Sequence, residues 1–450
     1  MSTAKAKDHS YSPERDVHRI TLYNTVYPEH LHVGLKGRLY LHFDFACFYA
    51  QVEMLRKRMY GLPLIIGGWR KEDGTAKGIV ATSSYEARAF GIKTGMSALE
   101  ATQICPYVCM LQVDYDAYIA ISKQVHHIFK KHCHRVERYS MDEYFMDLTF
   151  LVDKTDKEVL TFSKRIQQEI FETTGLYGSL GIARSKTYAK LSSSIDKPRG
   201  ISIIRTDDDE KAYIHPLPVN KVWGVGGRRY QHILNEGFQT IGDVVGGNVK
   251  TFQRLFGSNF GEMLYWTITG KERARVLEEN DNYKPKHGVS YGHTFSEGSH
   301  DLQRIKGEFA VAISQICYRM RAYGIRANNY SGMFGYNEYE NRSANNVSFR
   351  FVTDMYTNID EYVYEALMEK IEPALIKACE YKMEIRNLVI GTHQIDKSNQ
   401  INLFFSDEPK HSKRWKAIDE IRNRFGHKYI TKANNLHRVT GNTHFLERNS

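Results

Sequence analysis

Arg138-Tyr139-Ser140-Met141-Asp142-Glu143-Tyr144-Phe145-Met146-Asp147 decides how this chain is read. It places two adjacent carboxylates, Asp142 and Glu143, inside aromatic, strand-forming sequence. There a bare charge is costly to bury. Far upstream, Leu39-Tyr40-Leu41-His42-Phe43 is an apolar run that ends in another acid, Asp44. Each acid alone reads as a cap, a turn residue or a solvated hairpin. Together, a strand-borne Asp facing a hairpin-borne Asp-Glu pair offsets the burial cost by holding divalent metal. Hard carboxylate oxygens suit Mg²⁺. Two such ions about 3.5–4 Å apart form a clamp for in-line phosphoryl transfer.

Working outward, other segments offer groups for phosphate. After Asp44 the chain runs Phe45-Ala46-Cys47-Phe48-Tyr49. A strand turning into a helix there exposes backbone N–H groups suited to a triphosphate. The Tyr49 ring can lie against a bound sugar, or simply pack in the core. In Ala81-Thr82-Ser83-Ser84-Tyr85-Glu86-Ala87-Arg88, Tyr85 and Arg88 share a helix face, and Thr82 can join them. Hydroxyl, phenol and guanidinium would grip phosphate oxygens; the bland reading is a surface Arg over a Tyr. A helix from Lys186 is expected to stop before Pro198, with Lys197 extended at its end, for phosphate or for dipole compensation. Val222-Trp223-Gly224-Val225-Gly226-Gly227-Arg228-Arg229 reads as two helices joined by a Gly-Val-Gly turn. Such a helix-hairpin-helix lets Gly224, Gly226, Gly227 and Arg228 meet a DNA phosphate without reading sequence. Otherwise it is only a tight turn.

The wider composition agrees. At 450 residues, 42% hydrophobic, the chain is long enough for several domains. Its net charge of +10 favours a polyanionic partner. No apolar run approaches the ~20 residues that span a bilayer, and the N-terminus lacks a secretory pattern. A soluble, cytoplasmic, nucleoid-associated protein is expected, without membrane contact. The six scattered cysteines read as reduced, mostly buried thiols rather than a zinc site. Strands and helices alternate from Arg38 to about Phe150, with short strands expected at Leu62–Gly67 and Gly78–Thr82. Residues 215–275 look all-helical. Residues 278–287 form a polar linker, and a β-α-β-β-α-β order follows, the signature of a split βαβ sandwich.

With these motifs in order, the chain resembles the Y-family translesion DNA polymerases of bacterial type over about residues 38–405. The matched stretches are Asp44-Phe-Ala-Cys-Phe-Tyr-Ala, Ala81-Thr-Ser-Ser-Tyr-Glu-Ala-Arg, Tyr139-Ser-Met-Asp-Glu-Tyr-Phe-Met-Asp-Leu, Gly181-Ile-Ala-Arg-Ser-Lys-Thr-Tyr-Ala-Lys and Lys197-Pro-Arg-Gly. The resemblance implies a multidomain α/β right-hand polymerase. Its parts would be an N-terminal arm (1–37), a ferredoxin-like palm (38–48 and 113–208), small fingers (49–112) and a helix-hairpin-helix thumb (209–277). A linker (278–287), a split-βαβ little finger (288–405) and a C-terminal helix and tail (406–450) would follow. It further implies that Asp44, Asp142 and Glu143 bind two Mg²⁺, with Mn²⁺ a substitute, and that Phe45 lends a backbone carbonyl. Thr82, Tyr85, Arg88 and Lys197 would hold the dNTP triphosphate, and Tyr49 would be the steric gate. Ala46-Cys47 departs from relatives, which often carry a larger or polar residue here.

Gln400-Ile401-Asn402-Leu403-Phe404 resembles the clamp-binding pentapeptide of bacterial polymerases, with Gln400, Leu403 and Phe404 as contacts. Its bland reading is the final strand of its domain. The expected protein is thus a monomeric, low-fidelity polymerase without proofreading that takes dNTPs, primer-template DNA and a sliding clamp. A non-catalytic DNA-binding scaffold is the first rival, but has no use for three clustered carboxylates. Another two-metal palm enzyme, such as a nucleotide cyclase, is the second, but needs no duplex grip.

Overall fold

The computed structural model describes residues 37–277, 288–337, 344–396 and 408–425. The expected arm (apart from its last residue), the linker and Gln400–Phe404 lie outside them. The chain divides into two units, Met1–Tyr283 and Lys284–Ser450. No helix among the described residues is long and apolar enough to cross a membrane.

The first unit opens with β1 (Tyr40–Phe45), α1 (Phe48–Lys57), β2 (Leu64–Ile66), β3 (Trp69–Arg70), β4 (Ala76–Lys77), β5 (Thr82–Ser83), α2 (Tyr85–Ala89), α3 (Ala98–Ile104) and β6 (Cys109–Leu111). It continues through α4 (Tyr115–His132), β7 (Val136–Arg138), β8 (Glu143–Asp147), α5 (Asp156–Thr174), β9 (Gly178–Ala183), α6 (Lys186–Ser192) and β10 (Ile201–Ile204). Four helices close it: α7 (Gly227–Asn235), α8 (Ile241–Val245), α9 (Val249–Phe256) and α10 (Ser258–Ile268). The main sheet has the order β10-β9-β1-β8-β7, and a small one the order β5-β2-β6.

β1 is buried along both faces because helical layers cover both sides of the main sheet. Its side chains alternate as a strand's must. Leu41, Phe43 and Phe45 join one core with Tyr144 and Met146 of β8, Leu180 and Ile182 of β9, and Val125 and Phe129 of α4. Tyr40 joins the other core, with Phe145, Ala183, Tyr188 of α6 and the helices beyond. That second face therefore also carries His42, Asp44 and Glu143. α4 starts where the Asp114 side chain accepts from the Ala117 amide, and α5 where Thr155 and Glu158 form a reciprocal capping box.

α6 lies directly on the second face, and one glycine permits it. A Cβ on Gly181 would meet the Ala189 carbonyl oxygen at 2.1 Å and the Ser193 amide nitrogen at 2.2 Å. Gly181→Ala should therefore destabilise the protein by about 1–3 kcal/mol, because helix backbone cannot swing aside as a side chain can. A urea midpoint equal to the parent's would refute this contact.

Three local expectations need correction. Gly78–Thr82 is not a strand: β5 covers only Thr82–Ser83, and Ile79 makes a single bridge to Ser97. Gly78 has φ +95°, which turns the chain away from extended backbone. α6 ends at Ser192, and residues 193–199 continue in turns, so Lys197 is not at a helix end. The first helix of the expected hairpin is a single 3₁₀ turn, Val219–Lys221, preceded by a π-helical stretch Glu210–Ile214. Pro216 and Pro218 separate these turns; they lack N–H donors and prevent a continuous helix.

The second unit runs β11 (Ser290–Ser299), α11 (Leu302–Ala322), β12 (Arg326–Asn337), β13 (Ala344–Thr357), α12 (Asp360–Glu380) and β14 (Glu384–Asp396). The sheet order is β11-β14-β12-β13, every neighbouring pair antiparallel. β11 and β12 are thus parallel but split by β14, and β13 and β14 are parallel but split by β12. Ile305, Phe309 and Ile313 of α11 and Leu367 and Ile371 of α12 pack on Phe334 and Leu388. A last helix, α13 (Glu408–Phe425), is fastened to this unit. Trp415 is buried and donates to Glu361 at 2.9 Å, and Arg321 joins Asp360 and Asp419.

Candidate active site

Antiparallel pairing of β1 with β8 sets Asp44 directly opposite Glu143. The Phe45 amide donates to the Asp142 carbonyl at 3.1 Å, which places Asp142 beside the same strand end. The two acidic stretches of sequence meet. Next to them, α6 and its following turns bring two ammonium groups. Lys190 pairs with Glu143 and Lys197 with Asp44. The Ser140 hydroxyl donates to Asp142.

Electrostatics follow from this crowding. Burial raises the Asp142 carboxyl to about 7, with further upward pressure from Glu143 and Asp44 and opposition from the Ser140 hydrogen bond. Burial also raises Asp44, and Glu143 adds to it while Lys197 opposes it. Carboxylates that repel one another in a half-buried site call for cations. The donors are all hard oxygens, as a divalent cation such as Mg²⁺ prefers. Among the described residues, however, no three His, Cys, Asp or Glu side chains already form a ligand set. Glu143 is engaged by Lys190, Asp44 by Lys197 and Asp142 by Ser140.

The turn after Asp44 is tightly tied. The Ala46 backbone amide donates to the Tyr177 carbonyl at 3.2 Å, and the Gln51 side-chain Nε2 donates to the carbonyls of Ala46 and Tyr177 at 2.6 and 3.0 Å. The amides of Phe45 and Ala46 are therefore spent on closing the turn, contrary to the expectation of free N–H groups immediately after Asp44. Cys47, at φ +40°, begins α1 in a left-handed conformation, and burial raises its thiol to about 11. Tyr49, in the first turn of α1, is 8% exposed and stacks on Tyr118 with centroids 4.4 Å apart.

Of the other candidates, Arg88 lies over the Tyr85 ring at 5.0 Å and its Nε donates to the Ser83 carbonyl at 3.1 Å. Thr82 sits on β5, two residues before the Ser84 cap of α2. Tyr85 faces the field of Asp44, Lys197 and Cys47, so this short helix and the carboxylate end belong to one locality. Gly226 and Gly227 have no neighbour where a Cβ would sit, and Arg228 is exposed at the start of α7. Gly224 takes φ +81°, and its carbonyl accepts from Arg229 at 3.0 Å. The hairpin adjoins the carboxylate locality through rings: Trp223 stacks on Tyr139 at 5.6 Å, and Lys190 lies 5.3 Å above Tyr139.

Sequence reasoning missed Lys190, Ser140 and His42. Lys190 follows Lys186 by one helical turn, a spacing that puts both on one face of α6. That signal was available. Nothing local showed that the face would lie over the acids.

The comparisons with known proteins cover the same stretch of chain. The family model described as the impB/mucB/samB family (IMS) matches residues 43–194, which include all three carboxylates and Lys190. DNA polymerase IV 3 of Mesorhizobium japonicum is 31% identical over 297 residues, 65% of this chain and 78% of that protein. The chain belongs to the Y-family of translesion DNA polymerases. DNA polymerase IV 1 of Bacillus subtilis is 29% identical over 414 residues, covering 91% of this chain and 95% of that one. Among solved structures, a Y-family DNA polymerase chimera matches with a TM-score of 0.65 and 21% identity, over 80% of this chain and all of its own. That likeness concerns the fold, and it is shared by this Y-family polymerase over most of its length.

Proposed function

We propose that this Y-family polymerase extends a primer by two-metal catalysis at Asp44, Asp142 and Glu143. The observation that carries the reading is the cross-strand pairing of Asp44 with Glu143, with Asp142 beside them and two lysines above. These carboxylates and the Phe45 carbonyl would hold two Mg²⁺ ions, with Mn²⁺ a substitute. Such ions supply a more acidic primer 3′-hydroxyl and neutralise charge on the triphosphate and leaving pyrophosphate. Thr82, Tyr85, Arg88 and Lys197 receive the triphosphate of the dNTP, and Lys197 exchanges Asp44 for a phosphate oxygen. Tyr49, held by Tyr118, presses on the 2′ position of the sugar.

In this reading the main sheet is the palm, residues 49–112 are the fingers, α7–α10 belong to the thumb and residues 288–405 to the little finger. The fingers are small, so they check the shape of the nascent pair loosely, which suits damaged templates and lowers fidelity. The proposed enzyme acts as a monomer and without proofreading. A sliding clamp is the partner that Gln400, Leu403 and Phe404 fit. Primer extension on undamaged and lesion-bearing templates tests the whole reading: arrest at every lesion would overturn it.

Duplex grip is assigned to backbone amides at Gly224, Gly226 and Gly227 and to Arg228. Affinity for primer-template DNA should fall with salt with a log–log slope of about −3 or steeper, and vary little with template sequence. Arg228→Ala should flatten that slope by roughly one. A salt-independent affinity in fluorescence anisotropy would refute the assignment.

A further inference from the structure

The stretch Lys197-Pro198-Arg199-Gly200 gives the proposed site only its first residue. Arg199 is exposed, yet its surroundings are tightly built. Its guanidinium carbon lies over the Tyr177 ring, 3.7 Å from the centroid. Two glutamines fix the backbone of this pair. Gln51 of α1, 4% exposed, accepts from the Tyr177 backbone amide at 2.6 Å and donates to the Tyr177 carbonyl at 3.0 Å. Gln167 of α5 donates to the carbonyls of Gly178 and Arg199, both at 2.8 Å, and so ties the turn that carries Arg199 to the start of β9. The Gly200 amide closes that turn on the Asp196 carbonyl at 2.6 Å.

The pair sits at the carboxylate end of the sheet. Tyr177 is one residue beyond the last register pair, Phe45 with Gly178, and Lys197 of the same turn reaches Asp44. Lys190 and Lys197 are each engaged by an acid, whereas Arg199 meets no carboxylate among the described residues. A guanidinium whose face rests on a ring keeps its N–H edges for an anion, and its planar fork loses little freedom on binding one. We propose that Arg199, on its Tyr177 platform, is a further anion-binding residue that takes the terminal phosphate of the incoming nucleotide and, after transfer, of the leaving pyrophosphate. It does so through charge-assisted bonds to unesterified oxygens. Tyr177 is a positioning residue that acts through Arg199. Lys197, two residues earlier in the same turn, is assigned to the triphosphate, which favours that ligand over a backbone phosphate of DNA. The inference rests on that assignment and extends the site to the far end of the polyphosphate.

The test is single-nucleotide insertion by the full chain, with inhibition by added pyrophosphate and primer-template anisotropy measured beside it. Arg199→Ala should raise the dNTP KM and the pyrophosphate inhibition constant each about tenfold, the loss expected for one charge-assisted contact. Most of the loss should lie in KM rather than kcat, because the contact exists before and after transfer. Arg199→Lys keeps the charge without the fork and should recover only part of it. Tyr177→Leu should cost several-fold in the parent and nothing further in the Arg199→Ala background. An additive loss would overturn the platform; should Tyr177→Leu not fold, the exposed Arg199 alone decides. Unchanged KM and pyrophosphate inhibition in Arg199→Ala overturn the inference when Lys197→Ala raises both. If Lys197→Ala and Arg88→Ala also change neither, the triphosphate reading itself sinks. A DNA salt slope flattened by about one in Arg199→Ala, with KM unchanged, would assign the guanidinium to a DNA phosphate and equally overturn the inference.

Discussion

Asp142→Asn is expected to reduce primer extension at least about 1,000-fold, roughly 4 kcal/mol of transition-state stabilisation. Primer-template affinity should remain near the parent's, because duplex grip is assigned to the hairpin around residues 224–228. The substitution keeps the shape of the side chain and a group for Ser140 to donate to. It removes one of three carboxylates that repel each other at the end of β1 and β8. Without divalent cations, the variant should therefore melt at or above the parent's temperature. Catalysis and stability would then separate, as they do where a fold tolerates strain for function. Single-turnover extension, anisotropy and thermal unfolding measure the three quantities. Near-normal extension by the variant would remove Asp142 from the catalytic set.

Tyr49→Ala should raise ribonucleotide insertion relative to deoxyribonucleotide insertion by roughly 10- to 200-fold, the range set by one steric contact in a pocket. The stack on Tyr118 explains why a ring is suited to this task. It keeps Tyr49 from rotating away, so in the proposed role an added 2′-hydroxyl would meet a fixed wall. The same burial means the alanine variant also loses core packing, about 3 kcal/mol or more. Tyr49→Phe separates the two effects: it preserves the ring and should leave the sugar ratio near the parent's. Single-nucleotide kinetics with both nucleotide types decides. An unchanged ratio in Tyr49→Ala makes Tyr49 a packing residue only.

Much of this protein is written locally. Tyr115–His132 is a helix whose apolar spacing can be read directly from its sequence. The β-α-β-β-α-β order of the second unit is also legible, because each element buries a face whose period is set by its own backbone. The acids at Asp44, Asp142 and Glu143 stand out for the same reason: a charge in a buried strand pattern conflicts with its surroundings. Signals that depend on turn chemistry fared worse. Pro216 and Pro218 reduced the first hairpin helix to one 3₁₀ turn, and α6 stopped at Ser192 rather than at Pro198.

Local patterning specifies the set of elements and marks three carboxylates at odds with their surroundings. The tertiary structure alone decided which cations face them. β1 pairs with β8 and β9, whose partners lie far along the chain, and the register follows from which side chains both cores can bury. Gly181 then lets α6 settle against that sheet, so Lys190 reaches Glu143 and Ser193 reaches His42. No local pattern encodes those meetings, because they depend on the close approach of two backbones separated along the chain, and a missing Cβ makes that approach possible.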